Sequence, residues 1–397
     1  MIYDVAIIGG GASGVAAAIF LGNANIRTLI IEQEKELVKK VKKTGNGRCN
    51  FTNSYYDEDS YRGSKELADS AIKAFNYEDS IKFFNSLGVH VRDVDGYYYP
   101  YTNRADTITS AMINGLSDKV DVIIDRIVLK LEDKGDYYHI KTSYKDFDAK
   151  KVIVATGGKA GYFFKNNDEQ GYNLLKDLGH SITKLQPALT EVYLKAFSNA
   201  ADFSGIRIRG SVSLVDDISK SAKGEIQLTK KGISGIPVFQ ISRYLDVNSA
   251  VKVNLLAFET EKETVDFLDN SSCKGDRSVY SMLIGLFDER LVKGLIDDDI
   301  KELKYGSLTY EEKLEIIANF NFIDRVSGLA GFDKAQVTKG GVKADEIDGL
   351  SFKSKLARDV YVIGEALDVD GTCGGYNLQF AFSSAFVAAN DIIKELL

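Results

Sequence analysis

Gly9-Gly10-Gly11-Ala12-Ser13-Gly14 constrains this chain more than any other segment. Tyr3 to Ile8 before it is a short apolar run that reads as a buried strand, and the small-residue run Gly14 to Asn25 after it reads as a helix. In that context Gly9 permits a tight turn, Gly11 lets the backbone approach a pyrophosphate, and Gly14 lets the helix close on the strand. The helix start presents unpaired amides and a partial positive charge, which suits an anionic dinucleotide. A second strand, Arg27 to Ile31, ends at Glu32, eighteen residues past Gly14. A carboxylate there accepts hydrogen bonds from ribose hydroxyls and favours an unphosphorylated adenosine ribose, as in FAD or NAD. Gly9, Gly11, Ala12, Ser13, Gly14, Glu32 and Gln33 are therefore cofactor-binding candidates.

Composition narrows the remaining classes. A chain of 397 residues exceeds the size at which single cores stop growing, so two or three domains are expected. The 44% hydrophobic and 27% charged content is that of a globular protein rather than a disordered one. A net charge of -7 argues against a nucleic-acid or anionic-membrane partner and leaves a small-molecule substrate as the expectation. Cys49, Cys273 and Cys373 are far apart, as are His90, His139 and His180, so neither a disulfide framework nor a metal site is expected. No run reaches about eighteen apolar residues, and MIYDVAIIGGG has no signal-peptide character, so a cytoplasmic location is expected. The basic run Lys35, Lys39, Lys40, Lys42, Lys43 and Arg48 reads either as a solvated helix face or as an attractor for a phosphate-bearing cofactor.

Three further segments bear on the cofactor. Thr44 to Asn53 (TGNGRCNFTN) lacks an apolar period and reads as a donor-rich loop able to wrap a polar ligand. Gly45, Gly47, Cys49 and Asn50 are candidates there, and Arg48 supplies a fork-shaped cation for phosphate or for a substrate anion. Lys151 to Val154 is a buried strand ending in Ala155-Thr156-Gly157-Gly158, and the carboxyl ends of such strands face ligands in open α/β sheets. Val360 to Ile363 is another apolar strand, followed by a glycine-rich turn through Gly371, Thr372, Gly374 and Gly375 and a helix from about Leu378. These small positions let the chain approach a flavin closely, with the amides of Asn377 and Leu378 against its pyrimidine edge.

With IIGGGASG, TGNGRCNFTN, ATGG, GEIQLTKKGISG, VTKGGV and GEALDVDGTCGGYNLQFAFSSA in place, the chain resembles the BaiN-like (YhiN-like) bacterial flavoproteins, which include proteins called aminoacetone oxidases. The resemblance covers nearly the whole chain. It implies non-covalent FAD, with the first glycine turn and Glu32 on the adenosine half and Gly340, Gly341, Gly364, Glu365 and Asn377 around the ribityl and flavin half. Gly374, Gly375, Tyr376 and Leu378 complete that side. The chain departs from the family pattern at Gly161 to Asn173 and at Gly96-Tyr97-Tyr98-Tyr99-Pro100, which lacks the family's arginine.

The expected fold is α/β: a discontinuous Rossmann-like FAD-binding domain (1–189 and 326–397), with an inserted β-barrel-like domain (190–258 and 321–325) carrying a helical subdomain (259–320). The expected function is an FAD-dependent oxidoreductase that moves hydride between flavin and a small organic substrate. NAD(P)H-dependent reduction of an activated C=C bond is favoured over flavin-dependent amine oxidation and over a binding protein with structural FAD. Because no second GxGxxG is convincing, NADH or NADPH would bind only transiently at the flavin face, as electron donor, or be replaced by another donor. The catalytic side chains are unassigned, with Tyr97, Tyr99 and Cys373 as candidates, although aromatic packing for the tyrosines and a small buried filler for the cysteine are the preferred readings.

Overall fold

In a computed structural model the described residues are 2–161, 169–196, 201–256, 258–271 and 277–397. They form two compact units: the chain up to Gln186 together with Val337–Leu397, and Pro187–Gln336.

The first unit is built on a seven-stranded sheet. Five strands run parallel, in the spatial order Val120–Ile123, Thr28–Ile31, Ile2–Ile8, Phe147–Val154 and Val360–Val362. Tyr138–Thr142 and Val128–Asp133 add an antiparallel ribbon beside the first half of Phe147–Val154. The central strands are apolar on both faces, as parallel strands covered by helices must be: Val5, Ile7, Leu29, Ile30, Val152 and Ile153 are all fully buried. The helix Ala12–Asn23 lies next to the C-terminal helix Tyr376–Leu396, where the rings of Phe20 and Phe386 meet edge-on at 5.4 Å. A small sheet of Thr52–Asn53, Tyr97–Pro100 and Val91–Val94 is added to this unit.

The second unit contains a closed six-stranded barrel, in the order Val192–Leu194, Gly232–Ser234, Ser221–Leu228, Arg207–Leu214, Ala250–Asn254 and Asn321–Leu329. Short helices between Glu261 and Ala318 share one apolar core with the barrel, Val265 and Ile317 being buried in the same cluster as Val212 and Val253, and Phe287 stacks on Phe320 at 3.9 Å. Their starts are set by sequence: Thr260 with Glu263, and Thr309 with Glu312, form reciprocal capping boxes. The last barrel strand runs unbroken through position 326, where the sequence alone places the return to the first domain. The second unit continues to Gln336, because Val326 and Leu329 are still paired with Leu194 and Val192.

Candidate functional site

Register in the parallel sheet assembles the site. Ile8 lies opposite Ile31 and Val154, and Val154 lies opposite Val362. The ladder runs one step further, with Gly9 N–H to Ile31 O, Ala155 N–H to Ile8 O and Ile363 N–H to Val154 O at 2.9, 2.8 and 3.1 Å. The chain therefore leaves one rim at Gly9, Glu32, Ala155 and Gly364, the carboxyl edge at which open α/β sheets bind ligands.

Each glycine of the first turn has a separate reason. A Cβ on Gly9, whose φ is +108°, would lie 2.4 Å from the Ala155 carbonyl oxygen, and one on Gly14 would lie 2.0 Å from the Gly9 carbonyl oxygen. Both are demanded by packing. Gly11 is different: as the N-cap of the first helix it has no atom within 4 Å of its would-be Cβ, so its missing side chain keeps space open at the positive helix end. That open cradle fits a pyrophosphate.

Glu32 is 8% exposed. Its Oε2 accepts from Gly10 N–H at 2.5 Å and its Oε1 from Glu34 N–H at 2.7 Å. Burial raises its pKa above the ordinary carboxyl value, although the two amides pull the other way. The lone pairs left on each oxygen suit ribose hydroxyls. Gln33 is exposed beside it.

Farther along the rim, Thr156 Oγ1 is buried without a hydrogen-bond partner, and nothing lies within 4 Å of a Cβ on Gly157. Lys40 Nζ donates to Glu365 Oε2 at 2.7 Å, and Thr338 N–H donates to Oε1 at 2.8 Å. Lys39 pairs with Glu34 and Lys42 with Glu36, so these three lysines of the basic run are engaged by acids rather than forming a free basic patch. Gly340, Gly341 and Gly364 serve close backbone packing. Their Cβ positions would lie 2.5 Å from the Lys184 carbonyl oxygen, 2.4 Å from the Leu367 carbonyl carbon and 2.6 Å from Ser13 Oγ.

The loop after the second strand and the C-terminal turn close on each other. The run expected as loop from Thr44 overlaps the end of a 3-10 element, Val41–Gly47, with Gly45 and Asn46 in left-handed conformation. Asn53 Nδ2 donates to Gly374 O at 2.6 Å, and Thr52 Oγ1 donates to Gln379 Oε1 at 2.5 Å. Asn377 exchanges two hydrogen bonds with the backbone of Gly371, which engages its side chain in the turn. The helix begins with Gln379 N–H to Gly375 O, leaving the amides of residues 376–378 at its open end. Tyr376 is buried, and its carbonyl accepts from Tyr61 OH; Leu378 is half-buried. The expectation that Gly375 makes room for a flavin needs correction. A Cβ there would lie 2.9 Å from Thr52 N and 3.0 Å from Asn50 Oδ1, so the space is taken by the protein itself.

Neither Cys49 nor Cys373 is poised as a thiolate. Cys49 is fully buried and burial pushes its thiol up to about 12; Cys373 is half-buried and pushed up to about 12 in the same way. The tyrosines divide by face. Tyr98 stacks on Tyr77 at 5.8 Å, while Tyr97, on the opposite face, meets Tyr55 at 5.7 Å and lies 2.7 Å from the Cβ position of Gly374. Burial first, then Tyr55, Tyr99 and Cys373, raise the Tyr97 hydroxyl above its ordinary value. Arg48 lies over the ring of Tyr99, with Cζ 5.8 Å from its centroid. Among the described residues no group of acids, histidines and cysteines could hold a metal, and no helix is long and apolar enough to cross a membrane. Lys40, Thr338, Gln379 and Ser384, which accepts from Gly364 N–H, support the site without any local motif to announce them.

Comparison with known proteins gives the same answer. The HI0933-like protein Rossmann domain family matches residues 3–391. A 3-dehydro-bile acid delta(4,6)-reductase of Clostridium scindens is 33% identical across 97% of each chain, and a ribosomal RNA dihydrouridine synthase of Escherichia coli K12 is 26% identical across 98% of each. Of solved structures, 3-ketosteroid-delta4-(5alpha)-dehydrogenase from Rhodococcus jostii RHA1 aligns over 98% of this chain and 96% of its own, at a TM-score of 0.50 and 14% identity, a likeness of fold. The open cradle at Gly11, the buried acid at the end of the second strand and this end-to-end similarity together make the chain a member of the HI0933-like Rossmann family and an FAD-dependent oxidoreductase.

Proposed function

We propose that this protein reduces a C=C bond conjugated to a carbonyl in a small organic substrate, with NADH or NADPH as transient electron donor. The observation that carries this reading is the 33% identity over 97% of both chains with a protein named as a bile acid reductase. The name of the second relative points to the same bond type, since dihydrouridine is uridine with one ring C=C saturated. A small molecule is preferred to RNA because the more similar relative is the bile acid enzyme and the chain carries a net charge of -7.

Gly9 to Gly14 and Glu32 would hold the adenosine and pyrophosphate half of FAD, and Thr156, Gly157 and the open end of the C-terminal helix the remainder. When bound, FAD supplies two-electron chemistry, taking hydride from a nicotinamide and giving it to the β-carbon of the substrate. The protein must then deliver a proton to the α-carbon. Tyr97 is suited to be that donor, because it sits against the Gly374 turn and its raised pKa keeps the hydroxyl protonated at neutral pH. Tyr61, by contrast, is buried with its proton committed to the Tyr376 carbonyl.

The test is anaerobic. NADH or NADPH should bleach the flavin band at roughly 450 nm, and a 3-oxo-Δ4 steroid acid should restore it. Tyr97→Phe should slow the restoration by about 10²- to 10⁴-fold, the usual contribution of a general acid, and leave bleaching unchanged. Bleaching by amines alone would make the protein an oxidase, and no bleaching by any donor would leave FAD structural.

A further inference from the structure

The first unit carries an aromatic face that ends in a cation without an acidic partner. Tyr97 and Tyr99 alternate onto one side of their strand, about 7 Å apart at roughly 3.3 Å per residue. Tyr97 touches the glycine turn that starts the C-terminal helix, Tyr55 extends the wall, and Arg48 lies over Tyr99. Lys39, Lys40 and Lys42 in the same run each face a glutamate. Among the described residues no carboxylate pairs with Arg48, which is exposed.

Its backbone is tied down on both sides. Arg48 N–H donates to Gly45 O and Cys49 N–H to Thr44 O, both at 3.1 Å, and the neighbouring Cys49 side chain is fully buried. A planar, fork-shaped donor lying over an aromatic ring presents its N–H groups in a geometry that matches a carboxylate. Through Tyr99 and Tyr97 it belongs to the side of the site next to the C-terminal helix, whereas the open pyrophosphate cradle is at Gly11.

We propose that Arg48, seated on Tyr99, anchors a carboxylate of the substrate while the planar apolar body lies along Tyr97 and Tyr55, so that the substrates are unsaturated carbonyl compounds bearing an acid group. The proposal rests on the reductase reading for the unsaturated body; the anion anchor is measured separately, by binding. The FAD-loaded protein, without reductant, is titrated with two matched pairs: a 3-oxo-Δ4 bile acid and its methyl ester, and cinnamate and cinnamamide. Binding is read from the flavin difference spectrum. A charge-assisted, bidentate contact predicts a preference for the acid of about tenfold or more, falling as salt is added. Arg48→Met should bring the preference to about one with FAD content and neutral-ligand affinity kept, and Arg48→Lys should retain part of it. Three results overturn the proposal: a preference that survives in Arg48→Met, loss of FAD from that variant, or no spectral change with either acid. If the acids bind through Arg48 but no enone is turned over, the anchor stands and the reductase reading fails.

Discussion

Gly11→Ala separates a glycine kept for a ligand from one kept for the fold. Gly11 has φ -77° and ψ -166°, an extended conformation open to any residue, and its would-be Cβ has no atom within 4 Å. A methyl group there should leave the apoprotein nearly as stable as before. The small loss expected for alanine at an N-cap and the small gain from a stiffer unfolded chain are each within about 1 kcal/mol. FAD should suffer, because the methyl stands where backbone amides approach the pyrophosphate. Loss of one charge-assisted hydrogen bond, about 1.5 to 3 kcal/mol, corresponds to roughly 10- to 100-fold weaker binding. ADP, which carries the same pyrophosphate, should weaken in parallel.

The controls are the neighbouring glycines. Gly14→Ala puts Cβ 2.0 Å from the Gly9 carbonyl oxygen, and Gly9→Ala adds a left-handed φ to a 2.4 Å collision with Ala155 O. Each should cost about 1 to 3 kcal/mol or more of stability. Melting of the apoproteins and titration with FAD and ADP by fluorescence give the two readouts. Unchanged FAD affinity in Gly11→Ala, or a melting loss as large as that of Gly14→Ala, would refute the reasoning.

Three further outcomes follow from the geometry. Burial raises the Glu32 pKa in the folded apoprotein, so its contribution to stability is present below the ordinary carboxyl pKa and lost as pH rises through the folded value. Ribose hydroxyls favour the carboxylate, so FAD affinity should rise with pH across that acidic window, and Glu32→Gln should flatten the dependence in a calorimetric titration. Iodoacetamide at about pH 8 should leave Cys49 and Cys373 unmodified in the native protein and label both after denaturation, since burial holds each thiol near about 12; peptide mapping that finds native Cys373 alkylated would contradict this. Ser354 Oγ lies 2.8 Å from His180 Nε2, and His180 Nδ1 lies 3.1 Å from Glu346 Oε2, the spacing of a hydrolase triad. The histidine is fully buried, and Ser354 Oγ also accepts from the Leu356 and Ala357 amides, so a fluorophosphonate should not label Ser354, whereas His180→Ala should cost about 1 to 3 kcal/mol of stability and leave FAD content unchanged.

What was legible in the sequence was what short-range backbone rules determine. GGGASG between a strand and a helix, Glu32 at the end of the next strand, and Ala155 and Gly364 after later strands could be read because the carboxyl ends of parallel strands share one rim. The supporting contacts join residues more than three hundred positions apart: Lys40 with Glu365, Thr52 with Gln379, Asn53 with Gly374. No local pattern announces such pairs. The barrel was legible as alternating short strands, but its last strand hides its length. Asn321–Leu329 passes the expected boundary at position 326, and only its pairing with Val192–Leu194 reveals this. Of the departures from the family pattern, residues 162–168 lie outside the described residues, as does Cys273.

The cofactor side was easier to read than the substrate side for a physical reason. A dinucleotide is held largely by backbone amides at helix ends, and glycine spacing announces these whatever the side chains are. The substrate face depends on which side chains of Tyr97-Tyr98-Tyr99 point toward the C-terminal turn, and three consecutive tyrosines carry no alternation to decide it. Pairing decides it. Asn53 lies opposite Tyr97 and Thr52 opposite Tyr98, which aims Tyr97 and Tyr99 one way and sends Tyr98 to Tyr77. A slip of one residue would exchange the faces, put Tyr98 at the glycine turn and carry Tyr99 away from Arg48. The Phe51 N–H to Tyr98 O bond at 3.1 Å and the Ser54 N–H to Gly96 O bond at 2.9 Å lie on either side of these pairs and hold the register. The proposed proton donor and the proposed anion anchor thus depend on the same few backbone hydrogen bonds, so the two proposals stand or fall on one register.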